Sequence, residues 1–119
     1  MITFTTRLIE YGKKNLNGRT YLPTETDWDT DRVIIGTIES MDTYTIPLNK
    51  VAAYAKIYSK PDGVYADITT LGPNASVFES LLNEGFTVVP SGAGRVDADG
   101  IIRGYKLISF FLTKEPSFI

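Results

Sequence analysis

Tight-turn signals punctuate this sequence beside short runs of β-branched and aromatic residues. Asn17-Gly18 and Asp99-Gly100 are dipeptides that accept positive φ. Pro61-Asp62-Gly63 joins a proline that presets φ to a glycine that accepts a positive one. The runs that flank these turns are short and rich in Val, Ile, Thr, Tyr and Phe, which suit a pleated, half-buried backbone. A chain punctuated in this way is bound to strands.

Residues 2–11 alternate imperfectly and predict a first strand, ended by Gly12. Residues 20–22 predict a short return strand stopped by Pro23. Residues 24–31 are acidic, carry the only tryptophan, Trp28, and fit an exposed loop or a single helical turn. Residues 32–38 predict a buried strand with a bulge at Gly36, and residues 39–49 a connection. Residues 50–59 and 64–71 flank the Pro61-Asp62-Gly63 turn and predict a hairpin. One face of its first strand carries Val51, Ala53, Ala55 and Ile57; the other carries Ala52, Tyr54, Lys56 and Tyr58.

One helix is predicted, over about 75–84. Asn74 or Ser76 can cap it, Ser76-Val77-Phe78-Glu79 fits a capping box, and Gly85 stops it. Val77, Phe78, Leu81 and Leu82 form its apolar face. A short strand at 86–89 should end at Pro90, with 91–94 (Ser-Gly-Ala-Gly) a flexible loop. Residues 95–97 and 101–102 flank the Asp99-Gly100 turn, and residues 105–113 form a closing strand before Pro116. Six to seven short strands and one short helix predict a mainly β (α+β) domain, a small closed or partly open barrel spanning 1–119.

The 119 residues include neither cysteine nor histidine. Thiol nucleophiles, disulfides, zinc–thiolate sites and imidazole acid–base chemistry are thereby excluded. The amino terminus lacks the pattern of a signal peptide, and no apolar run approaches the roughly 20 residues that span a bilayer. No membrane partner and a cytoplasmic location are therefore expected. A net charge of −2 argues against a nucleic-acid partner. The charge is uneven: Arg7, Lys13, Lys14 and Arg19 face only Glu10 in residues 1–22, a balance of +3. In residues 24–42 six acids, Glu25, Asp27, Asp29, Asp31, Glu39 and Asp42, face only Arg32, a balance of −5. Two solvated loops of opposite sign, or a dipolar surface that orders neighbouring copies, would read this way.

No cofactor or metal site is expected. The Ser91-Gly92-Ala93-Gly94 stretch lacks the spacing of a phosphate-binding loop and follows a proline instead of opening a helix. Asp27/Asp29/Asp31 and Asp97/Asp99 lack the glycine and terminal glutamate of a calcium loop and read as solvated turns. Serines are present, but a hydroxyl needs a base to become a nucleophile. Without histidine only a desolvated lysine or a carboxylate remains, and lysines such as Lys60 sit at exposed turns and faces.

Several stretches, in order, resemble the capsid-maturation (prohead) proteases of tailed bacteriophages, which share their barrel with herpesvirus assembly proteases. Asn15-Leu16-Asn17-Gly18-Arg19-Thr20-Tyr21-Leu22-Pro23 is similar to that family's N-x-N-G-R-x-Y-P segment. Ile35-Gly36-Thr37-Ile38-Glu39-Ser40 falls where the family has G-E-L-x-H-P, and Gly63-Val64-Tyr65-Ala66 resembles a stretch before its helix. Residues 77–85 resemble that helix, ending L-L-x-x-G. Residues 87–96 fall where the family reads G-V-S-S-R-G-x-G-S-V, and residues 105–118 resemble its closing strand and terminal segment. The resemblance covers nearly the whole chain and implies the protease barrel.

The departures from the family pattern imply something else about activity. The position of the family's histidine falls at or near Ser40. The nucleophile region has become Pro90-Ser91-Gly92, one residue shorter, with Ser91 near the nucleophile's place. The arginine expected next, which helps to hold the oxyanion, is replaced by glycine, and Arg95 lies too far along to substitute. No catalytic residue is therefore expected. The resemblance implies a pseudoenzyme acting as a phage head structural or assembly protein: a decoration, cement or scaffold-associated component. Its partner would be the major capsid protein or another head protein, a homo-oligomer is compatible with it, and its place would be the virion or host cytoplasm. The competing readings are a small regulator binding a phage or host protein, and a protease with an atypical Ser91 site.

Overall fold

The computed structural model describes residues 1–15, 17–27, 33–40 and 46–114. Trp28, Arg32 and Pro116 lie outside the described residues. Strands β1 (Thr3–Glu10), β2 (Thr26–Asp27), β3 (Val33–Gly36), β4 (Ala53–Lys60), β5 (Gly63–Thr70), β6 (Thr87–Val96) and β7 (Ile102–Thr113) form one mixed sheet, with helix α1 (Ala75–Asn83) between β5 and β6. The order is β1-β5-β4-β3-β7-β2, with β6 on the other edge of β7. The sheet curls until β1 and β6 approach without forming a ladder, which leaves the barrel partly open. Among the described residues no helix is long and apolar enough to cross a membrane.

The predicted hairpin is β4–β5, in register from Ala53↔Thr70 to Lys60↔Gly63. Ala53, Ala55 and Ile57 point into the core while Lys56 is exposed, as the alternation predicts. Gly63, however, does not supply positive φ. Its lack of a side chain serves packing instead, because a Cβ there would strike the Ile9 carbonyl of β1. Gly36 likewise marks no bulge, since β3 keeps its register with β4 from Val33↔Lys56 to Gly36↔Ala53. A Cβ at Gly36 would enter the space of the Phe110 ring. The bulges lie elsewhere: between Arg7 and Ile9 on β1, which allows the consecutive Leu8 and Ile9 both to be buried, and at two places on β6.

Helix α1 inserts Phe78, fully buried, edge-on against Phe110 with ring centroids 6.3 Å apart. Burying a side chain of this size stabilises the fold by about 1.5–3 kcal/mol. Val77, on the predicted apolar face, stays about half exposed at 47%. The predicted stop is a Schellman arrangement. Gly85, at φ +93°, donates to the Leu82 carbonyl and Phe86 to the Leu81 carbonyl. The capping box is not formed: Ser76 lies inside the helix, and Asn74 makes no side-chain cap. The Asn74 amide donates instead to the carbonyls of Asn49 (2.8 Å) and Val51 (3.4 Å), tying the helix start to the 3₁₀ turn Leu48–Lys50.

Two further expectations are corrected. Residues 20–22 form no antiparallel return strand; Tyr21 bridges Tyr11, and Thr20 bridges Ile101, both in parallel. Residues 91–94 are not a loop, because β6 runs unbroken through Pro90-Ser91-Gly92-Ala93-Gly94. Proline is tolerated there because β6 is an edge strand whose ladder lies wholly on β7, so a missing N–H breaks no second ladder. The 24–31 stretch begins as a 3₁₀ turn, Pro23–Glu25, followed by β2; residues 28–31 lie outside the described residues. The basic amino-terminal segment is partly neutralised, Arg7 pairing with Glu10 (3.4 Å) and with Asp62 of the β4–β5 turn (3.0 Å) and Lys13 with Glu10 (3.7 Å).

The Gly36–Phe110 contact is the tightest test of this packing. Gly36→Ala should lower the unfolding free energy by about 1–3 kcal/mol through overpacking, and adding Phe110→Leu should recover part of that loss. Urea melts of the two variants measure it; wild-type stability for Gly36→Ala would refute the contact.

Candidate functional site

A cleft of about 400 Å³ opens between the β6–β7 hairpin and the segment that carries Arg19 and Tyr21. The segment is delivered by a turn organised on Asn15. Its Oδ1 accepts the N–H of Asn17 (2.9 Å) and of Arg19 (3.0 Å), while its carbonyl accepts the N–H of Gly18, at φ +76° (2.9 Å). The chain then runs along the hairpin tip. Thr20 donates to the Gly100 carbonyl (2.9 Å), and Ile102 donates back to Thr20 (2.9 Å).

The hairpin tip is itself held by Asp97. Its Oδ1 accepts the N–H of Asp99 (2.9 Å) and Ile101 (3.0 Å), and its Oδ2 accepts Arg103 Nε (3.0 Å). The Ile101 N–H, with smaller help from Arg103, holds the Asp97 carboxyl below its usual range. Asp97 is therefore a fastener of the turn. Among the described residues no group of three or more carboxylates, histidines or cysteines could hold a metal ion.

Both serines singled out from the sequence line this one cleft: Ser40 from the segment after β3, and Ser91 from β6. Ser40 is brought there because its segment stays tied to β7, Thr37 donating to the Phe110 carbonyl (3.0 Å) and Leu112 donating to the Ile38 carbonyl (3.2 Å). Ser91 sits opposite Ser109 at the start of a bulge. No lysine, aspartate, glutamate or histidine is among the described residues that line the cleft, and Arg95 is not among them either. Lys60 lies over the Tyr65 ring, 4.6 Å from its centroid, on a different hairpin.

Arg19, Tyr21 and Tyr105 were not singled out as site residues from the sequence. Tyr21 and Tyr105 meet edge-on, with ring centroids 5.0 Å apart. Gly92 is required beside them, because a Cβ there would strike the Lys106 carbonyl and the Tyr105 ring and hydroxyl. Burial pushes both phenols above the usual range, and the interaction between their hydroxyls raises Tyr105 further while easing Tyr21 back. A signal for Arg19 and Tyr21 existed in the sequence: they stand two apart after an Asn-Gly turn, so an extended chain points both the same way. Nothing local marked Tyr105, which reaches the cleft only because β7 pairs with β6.

No protein-family model and no curated protein matches the chain. Among solved structures, the fold is similar to that of the bacteriophage T4 capsid assembly protease, gp21, with a TM-score of 0.74 at 16% identity. The match covers 96% of this chain and 82% of that one. At this identity the likeness speaks for the fold alone.

The tyrosine pair sets an alkaline limit on stability. A phenol whose folded pKa is raised above the ordinary 10.0 contributes stability below that pH and loses it as pH rises through the folded value. Tyr105→Phe removes the larger contribution, so its unfolding midpoint in a high-pH titration should move upward. An unmoved midpoint would refute the assignment.

Proposed function

We propose that this chain is a non-enzymatic component of phage head assembly, built on the prohead-protease barrel and binding the major capsid protein or another head protein. It would be found in the virion or in the host cytoplasm. The observation that carries this reading is the composition of the cleft. Ser91 lies near the place that the resemblance gives to a nucleophile, yet the chain holds no histidine, and no lysine or carboxylate is among the described residues lining the cleft. A serine hydroxyl without a base keeps its proton at neutral pH. Where a serine triad has been dissected, losing it costs on the order of 10⁶ in turnover.

The glycine after Ser91 supports the same reading. An arginine at position 92 would have to displace Tyr105 and the Lys106 carbonyl, so the expected oxyanion-holding side chain has no room. The likeness to a capsid assembly protease supplies the setting, a phage head, in which a barrel of this type acts.

Two measurements test the reading. Purified protein incubated with capsid precursor should produce no cleavage that Ser91→Ala abolishes; cleavage dependent on Ser91 would overturn the non-enzymatic part. Heads isolated at successive assembly stages should carry the protein at one stage or more. Its absence from all of them would overturn the head-assembly part.

A further inference from the structure

Among the described residues, the cleft gathers hydroxyl side chains around one cation, Arg19. Elsewhere the arginines near carboxylates are paired: Arg7 with Glu10 and Asp62, Arg103 with Glu25 (3.8 Å) and Asp97. Arg19 forms no ion pair among the described residues, and it lines the cleft together with the hydroxyl side chains of Tyr21, Tyr105, Ser40 and Ser91. Neither serine side chain forms a hydrogen bond among the described residues. The two phenol hydroxyls are hydrogen-bonded to each other and burial pushes both above the usual range, so the pair stays protonated and keeps one O–H to offer. On the same two strands as Ser91 and Tyr105, the side chains of Phe111, Ile102, Val96 and Pro90 add apolar lining.

We propose that this cleft captures the free carboxyl terminus of another protein chain, with the terminal carboxylate on Arg19 and the hydroxyls and an apolar last side chain on the apolar lining. Charge selects an anion, because the described residues lining the space include one guanidinium and several hydroxyls and no acid. Size selects a chain end. At about 400 Å³ the cleft is near the lower bound of ligand pockets, roughly 300–1,000 Å³, and it suits a residue or two better than a long segment. Capture of a terminal carboxylate by clustered donors is an established recognition mode. Binding here is non-covalent and leaves the ligand unchanged. The reaction that supplies such a ligand is peptide-bond hydrolysis by another enzyme, which creates a new carboxyl terminus. The inference rests on the non-enzymatic reading above only in that the captured end is held and not processed.

The test uses the full chain and fluorescent tetrapeptides ending in Leu, Ile, Val or Phe, each made as the free acid and as the amide. A third series carries an internal Glu and an amidated end. In fluorescence anisotropy the free acid should bind at least about tenfold more tightly than its amide, the loss expected when a charged hydrogen-bonded pair is removed. The preference should weaken with added salt. Arg19→Gln should abolish it, and Arg19→Lys should retain part of it. Because the turn uses only the backbone of Arg19, both variants should melt with the wild type. Equal binding of acid and amide, no saturable binding of any peptide, or a preference that survives in Arg19→Gln would overturn the proposal. Internal-Glu amides binding as well as the free acids would overturn the chain-end assignment. Mass spectrometry of the recovered peptides separates the two readings: Ser91-dependent cleavage with the acid preference intact defeats the non-enzymatic function alone. Intact peptides without an acid preference defeat the capture proposal alone.

Discussion

Strand β7 carries three ladders, and the remainder of the molecule hangs on them. Lys106 is paired with Ala93 of β6 on one edge and with Asp27 of β2 on the other; Ser109 is likewise paired with Ser91 and with Ile35 of β3. One edge is thus given to β6, and the other is shared in tandem by two short parallel strands. Parallel partners need long connections, so residues distant in sequence are drawn to a single strand. That convergence puts the segment after β3, the Arg19–Tyr21 segment and the middle of β6 around one cleft.

Local deviations from ladder regularity then shape the cleft. The bulges on β6, between Ser91 and Gly92 and between Ala93 and Arg95, re-aim side chains that strict alternation would place differently. Gly92 lets Tyr105 pack against the β6 backbone, and the edge-on contact of Tyr105 with Tyr21 walls the cleft. The same crowding that builds the wall removes room for any side chain at position 92. Geometry and chemistry are coupled at this point: the packing that places Tyr105 against β6 also sets which hydroxyls and apolar side chains line the cleft. A fold alone does not assign an activity, and any activity of this chain has to be argued from the side chains of the cleft.

Much of the fold was legible because its signals are local. The Pro61-Asp62-Gly63 turn, the alternation of Ala53, Ala55 and Ile57, and the Gly85 stop depend on residues a few positions apart, and each stands where the pattern places it. The errors share one cause. Gly36 and Gly63 were assigned to backbone freedom, although their absent side chains answer neighbours far along the chain, Phe110 and Ile9. Ser91-Gly92-Ala93-Gly94 has a loop's composition but is a strand, since the long partner β7 supplies the pairing that weak propensity does not.

The amino-acid sequence by itself determined the strand-rich architecture, the helix at 75–83 and the exclusion of imidazole and thiol chemistry, because these follow from residue identity and short-range spacing. Only the tertiary structure decided that Ser40 and Ser91 share a cleft with Arg19, Tyr21 and Tyr105. Such a meeting depends on which strands pair and in what register, and register is set by the packing of the whole sheet and not by any one segment.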